Sequence, residues 1–136
     1  MLIIGVQFKK PDLKKIFNFL NENEKTQIIN MDCFFGKKHV IHSVQQTLKA
    51  FSEKRNISKK PEIEFLVRLT GQRQIKKALK SCKPEKLSFF VCWKNSGRVF
   101  KKFKKEFEFK EIKLKELSEE EVKKAVERTA TFYLSS

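Results

Sequence analysis

PEIEFLVRLTGQRQIKKALK, residues 61–80, holds the ambiguity on which the fold turns. In its first half Ile63, Phe65, Val67 and Leu69 alternate as in a half-buried strand, while Leu66 also fits a helical stripe. Length and the closing Thr70-Gly71 favour a strand over 61–70. In the second half Ile75, Ala78 and Leu79, continued by Cys82, recur at helical spacing, with Lys76, Lys77 and Lys80 between them. A strand running into a short, strongly basic helix is the resulting expectation.

Working outward, Leu2-Ile3-Ile4-Gly5-Val6 is a β-branched, buried type of strand, and Pro11-Asp12 opens a helix whose Leu13, Ile16, Phe17 and Leu20 share one face. Thr26 to Phe35 reads as a second strand. Gly36 precedes a long amphipathic helix that turns Val40, Ile41, Val44, Leu48 and Phe51 inward. Leu87 to Trp93, apolar on both faces, suits the centre of a sheet. The spacing of Val99, Phe100, Phe103 and Phe107 predicts a short helix over 98–107 with Lys101, Lys102, Lys104 and Lys105 outward. Ser118 followed by Glu121 is a capping box that starts a last helix running to about Phe132. Asn56 to Lys60 and Lys83 to Lys86 are polar connections. The fold class that follows is α/β: a single-domain sandwich over residues 1–136, with a four-stranded, mixed sheet covered by amphipathic helices.

The chain carries 31 Lys plus Arg against 16 Asp plus Glu, a net charge of +15 in 136 residues. Such an excess favours polyanionic partners, nucleic acid first. The same composition also suits the surface of a heat-adapted protein. Cys33, Cys82 and Cys92 are odd in number, widely spaced and set among apolar residues, so they read as reduced core thiols rather than a disulfide framework or zinc knuckle. Leu2 to Val6 is too short for a signal-peptide core, and no apolar run approaches the roughly 20 residues that span a bilayer. A cytoplasmic protein without a membrane partner is expected.

Enzyme signatures are scarce: there is no P-loop, dinucleotide fingerprint, His-Glu-x-x-His helix or Gly-x-Ser-x-Gly elbow. His39 and His42 lie three apart on one helix, but no third ligand stands at sensible spacing, and no metal or cofactor is expected. Glu62 and Glu64 alternate on the supposed strand, where they offset Lys59, Lys60 and Arg68 more naturally than they form a general acid/base pair. No catalytic residue emerges.

Basic residues lead further. Arg73, Lys76, Lys77, Lys80, Lys83 and Lys86 form one run; Lys94, Arg98 and the lysines of 101–105 form another, which a solvated helix face explains equally well. If Thr70 or Gly71 caps the basic helix, its opening turn offers unpaired N–H groups and a positive dipole end beside an arginine that grips phosphate through two parallel hydrogen bonds. The spacing of Ile75 favours ordinary packing in the stripe of that helix, although an isoleucine in the first turn can also lie at the lip of the core, where an unpaired base rests.

At these residues the sequence resembles the kinase-binding accessory subunit of the KEOPS (EKC) complex, the PRPK-binding protein family. The resemblance lies in Glu64-Phe65-Leu66-Val67-Arg68-Leu69-Thr70 followed by Gly71-Gln72-Arg73-Gln74-Ile75 and Ala78. Upstream, Gly36-Lys37-Lys38-His39-Val40 with Ser43 and Val44, and Asn56-Ile57-Ser58-Lys59, support it, as does Glu127-Arg128-Thr129-Ala130 downstream. The fragments keep family order over nearly the whole chain, and Gly-x-Arg-Gln-Ile is the most specific. After the Glu-Arg element this chain has Thr131-Phe132-Tyr133 where archaeal relatives continue with small and aliphatic residues.

The resemblance implies a subunit without catalytic activity in the assembly that installs threonylcarbamoyl on the adenosine beside the anticodon of certain tRNAs. It implies docking on the amino-terminal lobe of the complex's PRPK-type atypical kinase, indirect association with the other KEOPS subunits and, as in archaeal members, capture of the single-stranded 3′ CCA end of tRNA. The RNA-binding motif maps onto Gly71, Arg73, Gln74 and Ile75, with Lys59, Lys76 and Lys77 beside it. A kinase-docking face maps onto Val122, Val126, Thr129 and Phe132. Two alternatives of other classes stand beside it: a small metal-dependent RNA-processing enzyme using His39 or His42, and a purely structural adaptor.

Overall fold

A computed structural model describes residues 1–115, 118–124 and 127. In chain order its elements are β1 (Leu2–Phe8), α1 (Leu13–Glu22), β2 (Thr26–Asn30), α2 (Lys37–Ser52), α3 (Pro61–Thr70), α4 (Ile75–Ser81), β3 (Leu87–Cys92), α5 (Ser96–Glu106) and β4 (Phe109–Ile112), with a 3-10 turn at Met31–Cys33.

Pro61–Thr70 is thus a helix, against the alternation of its apolar residues. Its ends explain why. Pro61 stands in the first turn, where a missing N–H costs nothing, and Glu62 and Glu64 complement the positive helix end. Gly71 terminates α3 in the left-handed region (φ 70°, ψ 12°), its N–H donating to the Val67 carbonyl at 3.0 Å. Glu64 through Leu69 are all buried, so the helix is enclosed on every side and shows no single apolar stripe. Phe65, Val67 and Leu69 of the alternation belong to one continuous buried run, with Ile63 half-buried just before it.

The sheet nevertheless has four strands, because β4 supplies the one that α3 does not. The chain divides into two compact units, Met1–Asp32 with Lys83–Leu114 and Cys33–Cys82 with Lys115–Ser136. The first holds the sheet, in the order β2-β3-β1-β4. Register runs from Leu2↔Cys92 to Gln7↔Leu87 between β1 and β3, from Thr26↔Cys92 to Asn30↔Ser88 between β2 and β3, and from Gly5↔Ile112 to Phe8↔Phe109 between β1 and β4. All three pairings are antiparallel, not mixed. The reason is topological: β1-α1-β2 and β3-α5-β4 are split βαβ units, each enclosing one strand of the other, as in ferredoxin-like folds.

Ile16 and Phe19 of α1 and Val99 and Phe103 of α5 share a core with Val6, Phe8, Ile28, Phe90, Cys92 and Phe107. Phe103 stacks on Phe90 with centroids 5.0 Å apart and meets Phe107 at 5.0 Å and Phe109 at 4.6 Å. Gly5 admits the edge strand: a Cβ there would stand 2.6 Å from the Ile112 carbonyl oxygen. Asp12 caps α1 by accepting from the Lys15 N–H at 3.1 Å. Phe17 is exposed rather than inward, about a quarter turn from the Ile16–Leu20 face. β2 stops at Asn30, whose side chain accepts from the Asp32 N–H at 3.0 Å and turns the chain before the expected end at Phe35.

In the helical unit, α2 buries His39, Val40, Ser43, Val44, Thr47 and Ala50, while Ile41 and Leu48 are exposed. The inward face is rotated from the expected one because Ser43 and Thr47 satisfy their hydroxyls on their own helix, donating to the His39 and Ser43 carbonyls at 2.9 and 2.8 Å. Cys33 and Cys82 form a disulfide, correcting the expectation of reduced thiols, with Cα atoms 5.9 Å apart. Three helices separate them in sequence, so spacing alone could not pair them. Cys92 is a free, buried thiol. Ser118 begins the last helix as its sequence requires, accepting from the Glu121 N–H at 3.2 Å and donating to its carboxylate at 3.0 Å. The stretch of that helix expected toward Phe132 lies outside the described residues. Among the described residues no helix is long and apolar enough to cross a membrane.

Candidate RNA-binding turn

Gly71 to Lys77 forms the connection between α3 and α4 and the first turn of α4. Thr70 ties its start, donating through Oγ1 to the Leu66 carbonyl at 2.8 Å and accepting from the Gln72 N–H at 3.2 Å. Neither Thr70 nor Gly71 caps the following helix: Gly71 ends α3, and Gln74, extended at φ −92° and ψ 123°, begins α4. The Gln74 carbonyl accepts from the Ala78 N–H at 3.1 Å, whereas its side chain makes no capping hydrogen bond.

Gln72, Arg73 and Gln74 are exposed, as are Lys76, Lys77 and Lys80. Ile75 is half-buried, between the enclosed Ala78 and solvent. Leu79 is 39% exposed, so it leaves the apolar stripe assigned to it and widens the uncovered apolar surface of α4. No acid occurs from Thr70 to Lys80. The turn offers a guanidinium, two ammonium groups, a side-chain amide and a partly covered aliphatic side chain, a set suited to phosphate, a base edge and a base face.

Lys59 precedes α3 whereas Arg73 follows it, and the ten-residue helix between them is about 15 Å long. The loop before α3 is held by a buried polar clasp that sequence reading missed. Glu64 and Arg68 are fully buried and paired, Arg68 Nε to Glu64 Oε2 at 2.9 Å. The second carboxylate oxygen accepts from the Ile57 and Ser58 N–H groups, each at 2.7 Å, and Arg68 Nη2 reaches the Arg55 carbonyl at 3.4 Å. Residues 55–58 are thereby bonded to α3. The i,i+4 Glu-Arg spacing would have signalled the pair once 61–70 was recognised as helical. On a helix, Glu62 and Glu64 no longer share a face, and the acid/base pairing considered for them lapses.

His39 is fully buried in α2, its ring edge-on to Phe35 at 5.8 Å between centroids. His42 is half-buried, and burial lowers its pKa from the ordinary value. Among the described residues no three His, Cys, Asp or Glu gather as metal ligands. Val122 is half-buried in the first turn of the last helix, its N–H on the Ser118 carbonyl at 3.0 Å. Val126, Thr129 and Phe132, expected beside it, lie outside the described residues. Lys94, Arg98, Lys101, Lys102, Lys104 and Lys105 belong to the sheet unit, all exposed.

The sequence model of the family described as "Kinase binding protein CGI-121" matches residues 9–130. The KEOPS complex subunit Cgi121 of Pyrococcus abyssi is 32% identical over 133 residues, 96% of this chain and 75% of that protein. The regulatory protein Cgi121 of Methanocaldococcus jannaschii is 39% identical over 80 residues, 59% of this chain and 50% of that protein.

Proposed function

The chain belongs to the CGI-121 family of kinase-binding proteins, and we propose that it is a non-catalytic accessory subunit of a KEOPS assembly that recruits tRNA for threonylcarbamoyl modification of the adenosine next to the anticodon. In this reading it works in the cytoplasm, docks on the atypical kinase of the assembly through the last helix, Val122 with Val126, Thr129 and Phe132, and holds the unpaired 3′ CCA end of tRNA at the α3–α4 turn. The observation that carries the RNA part is the exposed Gly71–Ile75 turn, bare of acids and lined by Arg73, Gln74 and a half-buried Ile75.

Each residue has a physical task. Arg73 grips a phosphate through paired charge-assisted hydrogen bonds, which a lysine point charge does less well. The Gln74 amide, free of a capping bond, donates to and accepts from a base edge. Ile75 gives an unstacked base an apolar floor, and Gly71 lets α3 end sharply enough to present the turn. Lys76 and Lys77 meet adjoining phosphates, and Lys59, at the other end of α3, meets a phosphate farther along the RNA.

The pair Ile75→Glu and Arg73→Ala tests it. Both variants are expected to bind tRNA about tenfold or more weakly while keeping the parental thermal midpoint, since one bidentate or apolar contact is worth about 1–3 kcal/mol. Unchanged tRNA affinity in both variants sinks the RNA part. For the kinase part, Val122→Asp is expected to abolish co-elution with the purified kinase subunit, and parental co-elution contradicts it.

A further inference from the structure

The outer ridge of α5 is a second basic surface, on the sheet unit. Val99 and Phe103 face the core, and Phe100 is half-buried beside them. Opposite them Arg98, Lys101, Lys102 and Lys105 recur at i, i+3, i+4 and i+7, all exposed, over about 10 Å of helix. Two flanking cations are engaged with rings: Lys104 lies 5.1 Å from the Phe100 centroid and Lys15 4.9 Å from that of Phe107. None of the four ridge cations forms an ion pair among the described residues. At the start of α5, Glu22 and Glu24 share a cleft of about 250 Å³ with Lys94, Arg98 and Lys102, so the least compensated charge stands at Lys101 and Lys105.

Like charges at i,i+4 repel and destabilise a helix. The negative helix end offsets this in the last turn but not at Arg98 or Lys101, outside that turn. The ridge also lacks the apolar side chains with which an amphipathic helix enters a lipid surface, and the central aromatic anchor around which protein interfaces concentrate. A row of cations without an anchor matches a regular line of phosphates.

We propose that the α5 ridge contacts the phosphate backbone of double-helical RNA. This rests on RNA being the ligand, as in the function proposed above, but it assigns the duplex, not the unpaired end, and to a different unit of the protein. Contacts of this kind carry affinity without reading sequence, and they release counterions.

The test compares a blunt RNA hairpin with the same hairpin carrying a single-stranded 3′ CCA end, titrated at several salt concentrations. The proteins are the full chain, the ridge variant Arg98→Gln/Lys101→Gln/Lys102→Gln/Lys105→Gln, the control Lys9→Gln/Lys10→Gln/Lys110→Gln/Lys113→Gln and Arg73→Ala. The ridge variant is expected to lose about tenfold or more for both RNAs at low salt, and the slope of log affinity against log salt to shrink by about 2–4. The control, removing the same charge from the same unit, is expected to lose less than about threefold. Arg73→Ala should weaken only the hairpin with the CCA end. Parental affinity and salt slope of the ridge variant for the blunt hairpin overturn the ridge, as does an equal loss in the control. So does a ridge variant that loses binding to phosphatidylserine vesicles but not to the hairpin. Indifference of Arg73→Ala to the CCA end would instead overturn the function proposed above while leaving the ridge standing.

Discussion

In the sheet unit ten buried residues, five of them phenylalanine, meet around Phe103. In the helical unit the enclosed α3 sets a fully buried Glu64–Arg68 pair among its apolar residues, bonds a neighbouring loop through it, and belongs to a segment bracketed by the Cys33–Cys82 disulfide. The contrast is between non-directional and directional cohesion. Apolar packing fixes helices against a sheet and tolerates exchange of similar shapes, whereas a buried carboxylate bonded to two loop amides and a guanidinium dictates where that loop runs. The unit that presents the candidate RNA turn is the one built with directional bonds.

The largest effect that would expose this contrast is Glu64→Gln. Shape is kept, yet Arg68 loses its buried counter-charge, and unfolding free energy is expected to fall by about 3–5 kcal/mol in denaturant titration. Exchange of the Ile57 and Ser58 amides should quicken with it, since both donate to Glu64. A loss under about 1 kcal/mol would break the comparison. Next comes Cys33→Ser: the bond spans a sequence separation of 49, for which loop-closure entropy gives about 4 kcal/mol and typical disulfides about 2–4. An unchanged midpoint would show that the link contributes nothing to cohesion. Phe103→Leu, a change of shape inside the aromatic cluster, should cost less, about 1–2 kcal/mol. If it costs more than Glu64→Gln, the ranking of the two kinds of cohesion is reversed. Smallest is Gly71→Ala, about 1 kcal/mol for a left-handed helix terminus, with a larger relative effect on tRNA affinity than on stability because the turn itself shifts.

What the sequence revealed does not follow the two units. β1, β3, α5 and the Ser118 cap were legible because each is declared locally, by an apolar run, a periodic stripe or a cap residue. α3 was not, because burial on all sides erases helical periodicity and leaves an accidental alternation. The inward face of α2 was misplaced because Ser43 and Thr47 are buried with satisfied hydroxyls, which hydropathy counts as polar. β4, four residues with Lys110 and Glu111 exposed at the sheet edge, carries little apolar signal. The Cys33–Cys82 link joins residues far apart in sequence, beyond any local pattern. Gly71 to Lys77 are contiguous, so the sequence alone sets them on one connection, as the structure also has them. The clasp that holds the loop before α3 depends on α3 being a helix and was lost with it.

The proposed role of the α3–α4 turn is to hold the unpaired end of tRNA. The most direct measurement is the dissociation constant of the protein for intact tRNA and for the same tRNA lacking its 3′ CCA, side by side at low and moderate salt. The account predicts weaker binding of the truncated RNA by about tenfold or more at both salt concentrations, as lost base and phosphate contacts require. Equal affinity for the two RNAs would contradict it, however tightly both bind.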